Sequence, residues 1–364
     1  MKKFLFLISL MLIGCSPNDQ TKKQSITLNL EAEPRTLDPR KARTLQSMQF
    51  LSCLYDGLMR TDKMGRLEKG LAEDYQISND ATRYLFKLKT AYWSNGRKIL
   101  ARDFVQTWQS MLDPKFSSPV AYHLFLIKGA KAFFENKISF DEVGIHAIDD
   151  NTLEIVLENP APYFLELLSR SFYYPVYLHD RDLFAEINDS VPVNGPFIIS
   201  ERKCNDSITL KKNHKYYDAK VVRLDSINFI MVQPETELDL FMKNKIYWAG
   251  SPISKLPLSS CSYLDEQNLL YQDKLFATSF LRVNIEHIPL EIRTMVNESI
   301  DRDSLIEHIF YKGAFSSKGF VPPYMNSCTE DFFERKEDMY SNIQLLPNAK
   351  YSLIYFQGEI NHLI

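Results

Sequence analysis

The chain has 364 residues, which is enough for two or three domains at about 100 to 200 residues per domain. Its apolar content of 45% and charged content of 24% are those of a folded globular protein and exclude general disorder. The net charge of −3 gives no electrostatic reason to expect a nucleic-acid partner. The sequence has 12 glycines and neither a G-x-x-x-x-G-K nor a G-x-G-x-x-G spacing, which excludes P-loop and Rossmann nucleotide binding.

The N-terminus has the pattern of an export signal. Two lysines precede an apolar stretch that is too short to span a bilayer. The tetrapeptide Leu12-Ile13-Gly14-Cys15 is similar to the lipobox of bacterial lipoproteins, in which the cysteine is acylated and begins the mature chain. We therefore predict a signal peptide over residues 1–14, lipidation of Cys15 and a lipidated tether over residues 15–25. The alternative is a plain secretory signal with an incidental cysteine.

Strand-like and helix-like patterns interleave along the rest of the chain. In chain order, the periodicity predicts a strand at 25–30, a helix over 45–59, a strand at 84–88, a helix over 101–112, a strand at 152–157 and a short helix through Phe164 and Leu168. After a turn at Asn194-Gly195-Pro196 it predicts strands at 197–199, 207–210, 227–232 and 276–285, two helices within 290–312, and a last strand at 351–356. We expect Trp93 and Trp108 in the core. This interleaving without a short repeat favours a mixed α/β architecture.

Four cysteines follow the predicted signal, and none belongs to a C-x-x-C pair. Their spacing suggests neither a zinc site nor a thioredoxin-like motif. In an exported chain they could form two disulfides or equally remain as buried thiols. These cysteines are Cys53, Cys204, Cys261 and Cys328.

Five groups of short motifs occur in a fixed order between residue 33 and about residue 325. They are Leu37-Asp38-Pro39; Tyr55-Asp56-Gly57-Leu58 with Gly70-Leu71-Ala72-Glu73; Trp93-Ser94-Asn95-Gly96 with Ala101-Arg102-Asp103-Phe104-Val105 and Trp108; Val193-Asn194-Gly195-Pro196-Phe197; and Ile300-Asp301-Arg302-Asp303 with Pro322-Pro323. Together they resemble the peptide-binding subunits of ABC importers, the oligopeptide- and dipeptide-binding family of extracellular solute-binding proteins.

The resemblance implies an α/β, bilobal periplasmic-binding-protein-like fold of type II, peptide-binding class. We place the first lobe at 26–55 and 183–274, an inserted subdomain at 56–182 and the second lobe at 275–364. Family members usually continue for well over a hundred residues beyond the segment that matches 351–356. The resemblance therefore implies a C-terminally truncated chain with an incomplete second lobe, which a second chain could complete. We expect the region after about residue 275 to open first.

The resemblance also implies ligand contacts without a nucleophile, because the family holds a peptide between two lobes through main-chain hydrogen bonds and adaptable pockets. Gly250 would let a ligand backbone approach closely. Arg43 and Arg282 stand where oligopeptide-binding members carry acidic cleft contacts, which favours a ligand carboxylate over an amine, or a different ligand. The alternative for residues 43–45 is a solvated loop. The candidate ligand-binding residues are Arg43, Thr44, Leu45, Trp248, Gly250, Ser251, Phe280 and Arg282.

Two functional hypotheses follow. The first is an exported, lipid-anchored substrate-binding protein of an ABC peptide importer, which captures oligopeptides in an interlobe cleft and delivers them to permease subunits in the membrane. The second is a truncated or degenerate surface lipoprotein without peptide transport activity. The aspartate that holds a peptide's α-amino group in family members would lie beyond the end of this chain, so we expect weak binding of free peptides.

An enzyme is disfavoured, because the seven histidines are scattered and the chain has neither an H-E-x-x-H nor a G-x-S-x-G motif. We expect no cofactor, no metal site and no nucleic-acid partner. Nickel- or haem-binding relatives of the same family are a less favoured third option, because no histidine cluster supports metal capture.

Overall fold

The structure is a computed structural model that describes residues 24–179, 181–273, 277–309, 312, 314–317 and 321. It divides the chain into two compact units, one ending at Lys255 and the other beginning at Leu256. The predicted lobe boundary at 274/275 and the lobe assignment stay predictions. The predicted lipidation site Cys15, Cys328 and the predicted strand at 351–356 lie outside the described residues.

Strands and helices alternate along the described residues, as the sequence pattern predicts. The strands are β1 (Ser25–Asn29), β2 (Met59–Thr61), β3 (Leu67–Lys69), β4 (Ala72–Ile77), β5 (Arg83–Leu88), β6 (Ile145–Asp149), β7 (Thr152–Val156), β8 (Phe197–Lys203), β9 (Ser207–Lys212) and β10 (Ser226–Ile230). The α-helices are α1 (Leu45–Leu54), α2 (Ala101–Leu112), α3 (Ala130–Phe134), α4 (Phe164–Leu167), α5 (Pro234–Met242), α6 (Cys261–Glu266), α7 (Leu290–Ser299) and α8 (Arg302–Ile309). Short 3-10 helices lie at Pro39–Lys41, Pro114–Phe116, Ala121–Leu126, Phe140–Glu142, Ser171–Tyr173 and Leu258–Ser260.

One sheet of the first unit joins two distant parts of the chain, in the order β1-β10-β9-β8. β1 pairs in parallel with β10, with Leu28 opposite Phe229, and the other pairs are antiparallel. Alternate residues of β9 and β10 are buried, as expected for strands with one face on the core. From α1, Phe50 packs edge-on against Phe229 with ring centroids 5.3 Å apart.

A second four-stranded sheet has the order β4-β5-β7-β6 and is antiparallel throughout. α2 packs against it, and its apolar stripe predicts the helix at the observed bounds. Trp93 and Trp108 are both fully buried, which confirms their predicted place in the core. The indole N–H of Trp93 donates to Asp103 (3.1 Å) and that of Trp108 donates to the Tyr173 carbonyl (3.2 Å). Both buried ring nitrogens are thus satisfied.

The predicted helix over 45–59 is too long, because α1 ends at Leu54. The turn at Asn194-Gly195 holds the chain there: the Gly195 N–H donates to the Leu54 carbonyl (2.7 Å). The Asn194 side chain exchanges hydrogen bonds with the backbone N–H and carbonyl of Asp56 (3.1 and 2.9 Å). Tyr55 and Leu58 continue the apolar spacing of the helix and are buried, although both lie beyond its end.

The predicted strand at 276–285 is wrong over its described part, because residues 277–285 have no strand and are mostly exposed. Alternation alone does not make a strand when no neighbour pairs with it. α7 and α8 confirm the two helices predicted within 290–312. The β2–β3 hairpin, β4, β6, α3, α5 and α6 were not predicted.

None of the possible disulfides forms among the three described cysteines. Cys53 is half-buried, Cys204 is exposed and Cys261 is buried. Burial raises the pKa of the Cys53 thiol to about 12. None of the helices in the described part of the chain has the length and apolar content that a bilayer span needs.

Candidate functional site

Residues 43–45 form the entry to α1. Thr44 is the N-cap, with extended backbone angles, and its hydroxyl accepts the Ser47 N–H (3.3 Å). The cap fixes the backbone at this point and leaves Arg43 and Leu45 exposed, Leu45 to 58%. Arg43 makes no ion pair with any residue that the structure describes. An exposed, unpaired cation suits a ligand carboxylate, and it also suits the alternative of a solvated loop.

Trp248, Gly250 and Ser251 lie together in one tight turn. The Trp248 indole N–H donates to the Ser251 carbonyl (2.9 Å), and 46% of the Trp248 side chain remains exposed. Gly250 has φ +91°, which L side chains rarely adopt. The turn therefore presents an aromatic face on a backbone that requires glycine.

The main-chain groups of Gly250 are already used within the turn. Its N–H donates to Glu237 (3.0 Å) and to the Ser254 hydroxyl (2.9 Å), and its carbonyl accepts the Ser254 N–H (3.1 Å). A ligand backbone would have to displace these bonds to reach them. The expectation of a close ligand approach at Gly250 stays a prediction, but the positive φ already accounts for a glycine here.

Glu237, on α5, is the residue of this region that sequence reasoning missed. It is fully buried, and besides Gly250 it accepts hydrogen bonds from the Ser254 hydroxyl (2.5 Å) and the Asn29 side-chain amide (2.7 Å). Three donors, two from the 250–254 segment and one from the end of β1, thus converge on one carboxylate. The only sequence signal is its helical spacing from Leu240 and Phe241, which places a charged residue on an apolar face.

Phe280 and Arg282 belong to the second unit, and both are exposed, Phe280 to 60%. They lie in the segment that was predicted as a strand and is not one. The structure therefore brings together the predicted residues of the 248–251 turn. No hydrogen bond, ion pair or ring contact among the described residues joins that turn to 43–45.

The acidic residues within the family motifs hold the scaffold. Asp56 accepts the hydroxyls of Tyr216 (2.8 Å) and Tyr217 (2.7 Å), and burial raises the pKa of its carboxyl. Burial likewise raises the pKa of Asp103, whose carboxylate lies 3.0 Å from the His179 ring nitrogen. No group of three or more metal-ligating side chains occurs among the described residues. The motifs therefore define the fold more than a reaction.

A cavity of about 240 Å³ lies in the first unit, between the end of α1, the turn at Ser94-Asn95 and residues 188–193. Tyr55 and the start of β8 also line it. None of the predicted ligand-binding residues reaches this cavity.

The comparison with known proteins agrees with this architecture. A family model for the middle part of the bacterial extracellular solute-binding proteins, family 5, matches residues 66–355. The oligopeptide-binding protein OppA of Bacillus subtilis is 32% identical over 94% of this chain and 67% of its own length. The structure of the oligopeptide-binding protein OppAIV of Borrelia burgdorferi superposes with a TM-score of 0.77 at 29% identity, over 82% of this chain and 61% of that one.

A further solved structure, Haemophilus influenzae OppA in complex with the peptide RPPGFSPFR, covers 83% of this chain and 61% of its own, with a TM-score of 0.73 at 26% identity. The chain thus spans 61% to 67% of the length of these relatives. The matches confirm the predicted α/β periplasmic-binding-protein-like fold of type II, peptide-binding class. On the match over residues 66–355, the chain belongs to family 5 of the bacterial extracellular solute-binding proteins.

Proposed function

We propose that the chain is the substrate-binding lipoprotein of an ABC peptide importer, which captures oligopeptides and delivers them to membrane permease subunits. One observation carries the proposal: the chain matches, over 94% of its length, a relative named as an oligopeptide-binding protein. The peptide in the H. influenzae structure belongs to that protein and supports the same ligand class here.

Two features of the first unit fit a peptide ligand. Arg43 is an exposed cation immediately before the N-cap of α1, and the helix N-terminus adds partial positive charge of the same sign. A peptide carboxylate would pair with this charge. Trp248 offers an exposed aromatic face to a peptide side chain. From the second unit, Phe280 and Arg282 stay proposed contacts.

Titration calorimetry of the purified mature chain with tri- to pentapeptides tests the proposal. We expect binding that weakens when the peptide C-terminus is amidated. Arg43→Gln should weaken binding of the free acids by roughly ten- to hundred-fold, because a charged hydrogen bond contributes about 1.5 to 3 kcal/mol. Arg223→Gln, at another exposed arginine, is the matched control and should leave the affinity unchanged. Absence of heat with every peptide, together with recovery of a non-peptide ligand from the denatured protein, would refute the proposal.

The proposed anchor is tested separately. Cys15 lies outside the described residues, and the proposal of its lipidation depends on the preceding Leu12-Ile13-Gly14. Intact-mass analysis of membrane-extracted protein should find acylation and no residue before Cys15, and Cys15→Ser should release the protein from the membrane. A soluble mature form cut elsewhere would contradict the anchor and leave the peptide proposal standing.

A further inference from the structure

The buried carboxylate of Glu237 lies directly behind the Trp248–Ser251 turn. Burying a carboxylate is costly unless donors satisfy both of its oxygens. Here one oxygen accepts Gly250 N–H and the Ser254 hydroxyl, and the other accepts the Asn29 amide. The carboxylate therefore ties both ends of the 250–254 segment to β1 through α5.

The bond from Trp248 extends this connection to the exposed surface. Its ring nitrogen donates to the carbonyl of Ser251, the residue after the glycine that Glu237 holds. If Gly250 moved away from Glu237, the carbonyl that orients the indole would move with it. We infer that Glu237 is a positioning residue that fixes the conformation of the Trp248–Ser254 turn, and, resting on the proposed function, the surface that this function assigns to the ligand.

The hydrogen-bond pattern requires an acceptor at both oxygens of residue 237. The Asn29 amide cannot turn around, because its oxygen accepts the N–H groups of Val232 (3.0 Å) and Glu31 (3.0 Å). Its nitrogen therefore faces Glu237, which it meets at 2.7 Å. A glutamine at 237 would place its NH2 group against either the Asn29 nitrogen or the N–H of Gly250. Glu237→Gln thus keeps the volume of the side chain and disrupts the network.

Tryptophan fluorescence reports on this turn without any ligand. The chain has three tryptophans, of which Trp93 and Trp108 are fully buried and Trp248 is 46% exposed. Iodide quenching of the native protein therefore reports on Trp248, and Trp248→Phe should remove the quenchable signal. Glu235→Gln is the matched control, since Glu235 is an exposed glutamate on the same helix.

We expect Glu237→Gln to increase iodide quenching of Trp248, because the equilibrium between the ordered and the displaced Trp248–Ser254 turn shifts roughly tenfold toward the displaced form. Glu235→Gln should match the wild type. Peptide affinity should fall by about the same factor in the Glu237→Gln protein alone. Equal quenching in the two variants would overturn the inference. Increased quenching in Glu237→Gln, with no peptide bound by any form including the wild type and a non-peptide ligand recovered from the denatured protein, would uphold the positioning role and refute the proposed function.

A second variant covers the case in which Glu237→Gln does not fold. Unfolding would expose the buried Trp93 and Trp108 to iodide and would be detected by their quenching. Ser254→Ala removes the hydroxyl that donates to the carboxylate and accepts the Gly250 N–H, and it retains the carboxylate with its two other partners. It should increase the quenching of Trp248 in the same direction by a smaller factor. Unchanged quenching in the folded Ser254→Ala protein would then overturn the inference.

Discussion

Substituting Gly195 with alanine should destabilise the first unit by bringing a methyl group into backbone that cannot move aside. A Cβ at this position would lie 2.4 Å from the Leu54 carbonyl carbon, 2.5 Å from the Tyr55 nitrogen and 2.7 Å from the Leu54 oxygen. All three are main-chain atoms where α1 ends, so no side-chain rotation relieves the overlap. Separating the segments also weakens the 2.7 Å hydrogen bond from the Gly195 N–H.

The cost follows from these two effects. Overpacking of this kind costs about 1 to 3 kcal/mol, and the hydrogen bond contributes about 1 kcal/mol. We therefore expect Gly195→Ala to lower the free energy of unfolding by about 2 to 4 kcal/mol, a large part of a typical domain stability of about 5 to 15 kcal/mol.

Urea unfolding followed by the fluorescence of the buried tryptophans measures this cost. Gly65→Ala is the control, because Gly65 has φ +76° and a Cβ added there would meet no described atom within 4 Å. The Gly65→Ala protein should lose about 1 to 2 kcal/mol of unfolding free energy, because of the left-handed backbone conformation alone. A Gly195→Ala protein that is no less stable than Gly65→Ala, with the same slope of unfolding free energy against urea concentration, would refute the steric argument.

Two further predictions concern buried charge. His123 stacks on Phe172 with ring centroids 3.9 Å apart, and burial lowers the pKa of its imidazole. The folded state therefore favours the neutral imidazole. This contribution to stability is fully present above the ordinary histidine pKa and is lost as the pH falls through the lowered pKa. Between about pH 7.5 and about pH 5 the urea midpoint should therefore fall less in His123→Phe than in the wild type, and equal falls would contradict the assignment. Asp38→Ala should cost about 3 to 5 kcal/mol, because it leaves the fully buried guanidinium of Arg40 without the carboxylate it meets at 2.8 Å. Ser110→Ala removes one neutral partner of the same guanidinium and should cost about 1 kcal/mol in the same unfolding assay; equal costs would contradict the ion-pair argument.

Local signals predicted those elements whose ends are determined by neighbouring residues. α2 has an apolar stripe, Asp103 in its first turn and Asp113-Pro114 after its end, and its bounds match the prediction. The helix over 45–59 and the strand at 276–285 had the right periodicity, but the contacts that decide them come from elsewhere in the chain. Periodicity cannot distinguish an apolar residue buried by its own helix from one buried by a distant turn.

The candidate site shows the same limit more sharply. Trp248, Gly250 and Ser251 were identified from a family resemblance, which indicates only residues that would contact the ligand. Glu237 stayed unrecognised because its partners lie 13, 17 and 208 residues away in sequence. No window of neighbouring residues contains that arrangement, and only the fold brings its four members together.

The parallel pairing of β1 with β10 has a consequence for how the protein acquires its structure during synthesis and export. β1 emerges first, yet its hydrogen-bonding partner, residues 226–230, follows almost two hundred residues later. The antiparallel sheet of β4 to β7 is instead continuous within residues 72–156 and needs no contribution from either end. Because long-range pairing is slow, this sheet should form on the nascent chain while β1 still lacks its neighbour. Until residue 230 is available, β1 has an unpaired edge, and such an edge is a template for aggregation.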